Sequence, residues 1–192
     1  MKNKFKYFLT HNRGAAGIEM ALIFPFMIFL YFGLADLTGL VSLNRKVTYA
    51  SDVMSDLITR SDDSILKAQI TDFYNASDLI MAPRSPSTVR IEIFGFRITG
   101  TSVSQVWKTN NGNGTSCGND PDTTSMSGLM TVKNDLVVTR VCTTYTPYVA
   151  TFLGQSILGA STFKVMKTVM RRPRSTLQLT CYQTVINGAK CT

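Results

Sequence analysis

The spacing of hydrophobic residues changes several times along this chain, and each change predicts a different element. Starting at Met20, the run MALIFPFMIFLYFGLA (residues 20–35) carries no charge. As a helix it covers about 24 Å, slightly short of a bilayer core. Extension back over residues 15–18 and forward over residues 37–43 supplies the missing length. Glu19 and Asp36 then fall near the two boundaries, where an acid is tolerable. Gly33 lies inside this segment, as does Pro25, which predicts a kink because it lacks a donor and crowds the preceding turn. Beyond it, Val47, Ala50, Val53, Met54, Leu57 and Ile58 recur at helical spacing, so an amphipathic stretch prolongs the membrane helix to near Arg60.

Ser61, Asp62, Asp63 and Ser64 offer cap chemistry for a second helix. Ile65, Leu66, Ile70, Phe73 and Tyr74 carry that helix to about Met81, and Pro83 and Pro86 stop it. Residues 89–99, VRIEIFGFRIT, read as a strand, with residues 102–109 around Trp107 as its hairpin partner. The glycine- and asparagine-rich residues 110–128 predict a long exposed loop tied by Cys117. Residues 135–144 and 161–170 supply two more strands, residues 148–158 a connection that could hold a short helix, and residues 177–186 a final strand. The fold class expected is α+β: a long N-terminal helix, a second helix and an antiparallel sheet. The divisions are a basic leader (1–14), a transmembrane helix (15–43), a helical stalk (44–60) and an exported α+β domain (61–192).

The formal charge of +8 invites a nucleic-acid reading, but its distribution argues for topology. Lys2, Lys4, Lys6 and Arg13 occupy the leader without an acid; twenty basic residues less those four leaves 16 against 12 acidic. This bias keeps the N-terminus cytoplasmic, although Arg45 and Lys46 on the far side weaken the contrast. A later cluster, Lys164, Lys167, Arg171, Arg172 and Arg174, lacks the interleaved aromatics of a stacking platform and reads as a solvated strand end, so no nucleic-acid partner is expected. No A-x-A motif suited to cleavage follows the apolar run, and no cysteine stands near its end, which disfavours a secretory or lipoprotein signal.

Cys117, Cys142, Cys181 and Cys191 all lie beyond the membrane segment, where an even count suits two disulfides in an oxidising compartment. Three connectivities exist. Pairing Cys117 with Cys142 and Cys181 with Cys191 is preferred, because the second closes a short terminal loop. Zinc would want closer ligand pairs and histidine, and the sole histidine is His11. Asn119, Asp120 and Asp122 lack calcium-loop spacing and read as a turn. Asp52 and Asp56 share a helical face and read as solvated. Without a histidine in the exported part, Ser-His, Cys-His and His-metal chemistries are excluded there. A non-enzyme without a cofactor is expected.

The segment before the apolar run carries the most information. Arg13-Gly14-Ala15-Ala16-Gly17-Ile18-Glu19 places a glycine after a basic leader and a glutamate five residues beyond it. This resembles the processing site of TadE-family (TadE/TadF/TadG-like) minor pilins and pseudopilins of the Tad, or Flp, type IVb pilus system. Phe24-Pro25 and Phe32-Gly33-Leu34-Ala35-Asp36 are similar to the family's proline-bearing stretch and its F-G-x-x-E segment. Here Asp36 replaces Glu, and Met20 stands where Phe or Tyr is usual. Tyr145-Thr146-Pro147-Tyr148 and Met170-Arg171-Arg172-Pro173-Arg174 look like the family's Y-x-P and closing R-P-R segments. The resemblance covers under a quarter of the chain. It implies cleavage between Gly14 and Ala15 by a prepilin peptidase, with Glu19 pairing the new Ala15 amine. It also implies a single-pass protein of the bacterial inner membrane with a periplasmic domain, incorporated in the pilus or assisting it. Other pilins and the inner-membrane assembly platform would be its partners. An uncleaved, signal-anchored envelope protein that binds a partner or surface is the alternative, and a soluble secreted adhesin, starting well beyond Leu43, a third.

Overall fold

A computed structural model describes residues 15–61, 64–100, 102–129, 135–149, 162–174, 178–183 and 191. The fold is α+β, in the order α1 (Ala15–Thr59), β1 (Ser64–Leu66), α2 (Lys67–Met81), β2 (Val89–Thr99), β3 (Ser102–Asn110), β4 (Asp135–Tyr145), β5 (Phe163–Arg171) and β6 (Thr180–Tyr182). Contacts group the described residues into two compact units: 15–41 with 146–149, and 42–145 with 162–191. The helical stretch expected as a stalk therefore belongs with the sheet-bearing unit.

The first unit is built on the apolar part of α1, which stays helical through Pro25. An 18-residue window of this helix is apolar enough to cross a membrane, and none of that window is buried by the chain.

In the second unit, α1 buries Val47, Ala50, Met54 and Ile58, as the periodicity predicts, and also Leu43, which the sequence assigns to the membrane segment. Val53 and Leu57 are only half-buried, and Ser51, Ser55 and Thr59 are fully buried instead. Small hydroxyl residues allow close approach, and two of them satisfy themselves on their own helix: Ser51 Oγ donates to Thr48 O (2.8 Å) and Thr59 Oγ1 to Ser55 O (2.8 Å).

The second helix starts two residues later than its hydrophobic spacing predicts. Ile65 and Leu66 are not helical: they form β1, which pairs in parallel with β6 so that Ile65 faces Cys181. Both of those residues are fully buried. The chain turns into α2 where Leu66 N donates to Gln69 Oε1 (3.0 Å), and Ile70, Tyr74, Ser77 and Met81 form its buried stripe.

The main sheet is antiparallel, in the order β3-β2-β4-β5. Opposite Thr99 stands Ser102, and the intervening Gly100 adopts φ 66°, a value that favours glycine. Strand β2 is buried on both faces, not on one as an alternating pattern implies. Val89, Ile91 and Ile93 share one face with Val137, Thr139 and Val141 of β4, all buried. The ion pairs of Arg171, which stands opposite Val137, with Asp52 and Asp56 put the C-terminal part of α1 on this face.

The opposite face carries the cluster Phe94, Phe96, Leu136 and Val138, closed by Met126. Met126 belongs to the segment expected as a long exposed loop, residues 110–128; most of its described residues are exposed, while Cys117 and Met126 are buried and fix it to the sheet. Asn111 joins its backbone, taking Ile91 N on Oδ1 (3.1 Å) and donating Nδ2 to Val89 O (2.9 Å). Buried Glu92 accepts from Cys117 N, Ser116 Oγ and Arg90 Nε, each at 3.3 Å. The disulfide Cys117–Cys142 fastens the same segment, and Cys181–Cys191 ties the end of the chain to β6. Both pairings match those preferred from the sequence.

Candidate functional site

An apolar helix surface is the feature most in need of a partner. Leu22 (73% exposed), Ile23, Phe24, Phe26 and Met27 follow one another at about 100° per residue, so the exposed apolar surface runs around the helix and not along a single stripe. Such a surface suits lipid or neighbouring helices.

Of the residues singled out from the sequence, Gly14 lies outside the described residues, and Ala15 is the first residue of α1. Glu19 is exposed four positions on, hence on the same helical face as Ala15, and Met20 (64% exposed) follows it. Pro25 is exposed within the helix. A side chain at half-buried Gly33 would meet nothing within 4 Å, so packing against this chain does not demand glycine there.

Asp36 has a role that its position at the apolar boundary did not reveal. Its carboxylate accepts from two successive backbone amides, Tyr148 N to Oδ1 (2.6 Å) and Val149 N to Oδ2 (2.9 Å). Tyr148 and Val149 are helical, so Asp36 caps that turn from across the sequence. Residues 150–158 of the expected connection lie outside the described residues.

The basic cluster also changes meaning. Arg174 Nη2 reaches Asp56 Oδ1 (2.6 Å), Arg171 reaches Asp56 (3.3 Å) and Asp52 (3.5 Å), and Arg60 reaches Asp56 Oδ2 (2.8 Å). In addition, Arg174 N donates to Thr59 O (2.9 Å), satisfying a carbonyl at the helix C-terminus. The segment around Pro173 is therefore a clamp on the end of α1. Asp52 and Asp56 are ion-paired and not simply solvated, a link their sequence separation from Arg171 hides. Lys164 donates Nζ to Ser116 O (2.6 Å).

Asp120 pairs with Lys108 (2.6 Å), and Asp122 accepts from Thr124 N (3.0 Å) and Thr124 Oγ1 (2.5 Å). The Thr124 hydroxyl bond, with the amide bond behind it, holds the Asp122 carboxyl below its usual range. No group of three metal-ligating side chains occurs among the described residues.

One carboxylate in α2 is poorly served. Asp78 Oδ1 is sealed from solvent without a hydrogen-bond partner, and desolvation raises the carboxyl above its ordinary 3.8. The charged form is thus the one the fold disfavours, a cost fully present above the folded-state value and absent below the unfolded one. Asp78→Asn is expected to raise Tm at neutral pH, with the gain shrinking as pH falls through the carboxylate range. A Tm difference that grows in acid would contradict this.

Comparison with known protein families, characterised proteins and solved structures finds no match to this chain.

Proposed function

We propose that this chain is a minor pilin or pseudopilin that takes part in assembling a Tad/Flp tight-adherence pilus, without enzymatic activity. The observation that carries the reading is the apolar part of α1, uncovered by its own chain, with Glu19 exposed on that surface one helical turn from Ala15. A carboxylate in a poorly hydrated helix bundle needs a cationic partner. Cleavage after Gly14 by a prepilin peptidase would create one, the Ala15 amine, on the same subunit or on a neighbour. Lateral packing of such helices would then set register through this pair. The resemblance of residues 13–56 to the TadE N-terminal module supports the same reading. So does the placement of both disulfides in the sheet-bearing unit, which suits an oxidising compartment.

Mass spectrometry of the membrane-extracted protein tests the cleavage step: a product beginning at Ala15 is expected, and an intact Met1 terminus would sink it. Glu19→Ala is expected to abolish assembly, since removing one partner of a buried pair costs about 3–5 kcal/mol. A passive membrane tether would instead keep Met1 and tolerate Glu19→Ala with piliation unchanged.

A further inference from the structure

We propose that Asp36 is a positioning residue that holds Tyr148 at the bilayer surface, making residues 146–149 a second point of lipid contact beside the membrane helix. The proposal rests on the reading of α1 as a membrane span.

Three observations converge on it. Asp36 lies 21 residues after Ala15 in one continuous helix, which at 1.5 Å per residue is about 30 Å, the thickness of a hydrocarbon core. If Ala15 enters the bilayer at one surface, Asp36 sits at the other. There it accepts two backbone amides, those of Tyr148 and Val149. Unpaired amides are costly beside lipid, and so is an unsolvated carboxylate, so each group removes the other's penalty. Finally, residues 146–149 group with the apolar helix and not with the sheet, and Tyr148 is 63% exposed.

An exposed tyrosine next to a capped backbone fits a headgroup layer, where the ring meets acyl chains and the hydroxyl meets water. Tyr31, 70% exposed and five residues before Asp36 on α1, would lie about 7.5 Å deeper. The two tyrosines therefore predict two depths. Asp36 ends the segment FGLAD and Tyr148 ends YTPY, so two motifs 112 residues apart serve one junction.

The test uses the full chain in phosphatidylcholine–phosphatidylglycerol vesicles containing lipids brominated at shallow or deep acyl positions. Tyr148→Trp is read against the parent, whose sole tryptophan, Trp107, is buried in the sheet-bearing unit. The added indole is expected to be quenched more by the shallow than by the deep bromines, and the indole of Tyr31→Trp in the opposite order. Combining Tyr148→Trp with Asp36→Ala should lower the anchored-to-free ratio about tenfold, the size expected for losing a charge-assisted cap. Asp36→Asn should retain part of the anchoring through its amide oxygen. Quenching of Tyr31→Trp without quenching of Tyr148→Trp overturns this proposal and leaves the membrane helix standing. Failure of both probes overturns the membrane reading and the proposal with it. Full quenching of Tyr148→Trp in the Asp36→Ala background overturns the positioning role.

Discussion

Asp135→Ala is expected to cost about 3–5 kcal/mol of stability, the range for stripping one partner from a buried ion pair. Asp135 stands opposite Arg97 where β4 meets β2, and is almost fully buried. Its two oxygens take Arg97 Nε and Nη2, each at 2.7 Å, and Oδ2 also takes Leu179 N at 2.8 Å. The hydrogen bonds to Asp135 raise the Arg97 guanidinium above its already high value, in line with a strongly held proton. Alanine would leave a half-buried guanidinium and a buried amide without their acceptor. Leu179 immediately precedes β6, so the loss should spread to the β1–β6 pairing. Asp135→Asn, which keeps the shape and one acceptor, should cost less. Thermal melts of the detergent-solubilised chain measure both, and a cost for Asp135→Ala no larger than that of an exposed pair, about 1 kcal/mol, would show that the pair is not what joins these segments.

What the sequence revealed of this fold follows from how local each signal is. The uncharged run after Glu19 needs no partner to declare itself a long helix, and the β-branched residues of β2 and β4 declare strands. Ile65 and Leu66 misled because their spacing continues into α2, whereas their true partner, β6, lies more than a hundred residues away. Asp36, Asp52, Asp56 and Asp135 share that difficulty: each is bonded to groups distant in sequence. The candidate site was legible in its apolar surface and in the position of Glu19. The capping role of Asp36 was not, since nothing around residue 148 announces an amide in need of an acceptor. A lone glycine inside the strand run VRIEIFGFRIT is a local signal of a different kind, because glycine within a strand marks a close approach.

That glycine, Gly95, carries the second large effect. It stands opposite Trp107, and a Cβ built on it would come within 2.2 Å of the indole Nε1. The indole therefore lies over Gly95 and reaches past it, donating Nε1–H to Leu179 O at 2.9 Å. Leu179 is thus gripped at both backbone groups, its amide by Asp135 and its carbonyl by Trp107. Removing the indole leaves a cavity and an unpaired carbonyl, so Trp107→Ala should cost about 3–5 kcal/mol. Gly95→Ala should cost about 1–3 kcal/mol by overpacking, and should red-shift the emission of the single tryptophan as the ring is pushed from its buried site. The decisive variant is the double one. With the indole gone, the methyl at position 95 has room, so Gly95→Ala/Trp107→Ala should cost about the same as Trp107→Ala alone, giving a coupling of about 1–3 kcal/mol. Costs that simply add, or a neutral Gly95→Ala with unshifted emission, would place the indole elsewhere.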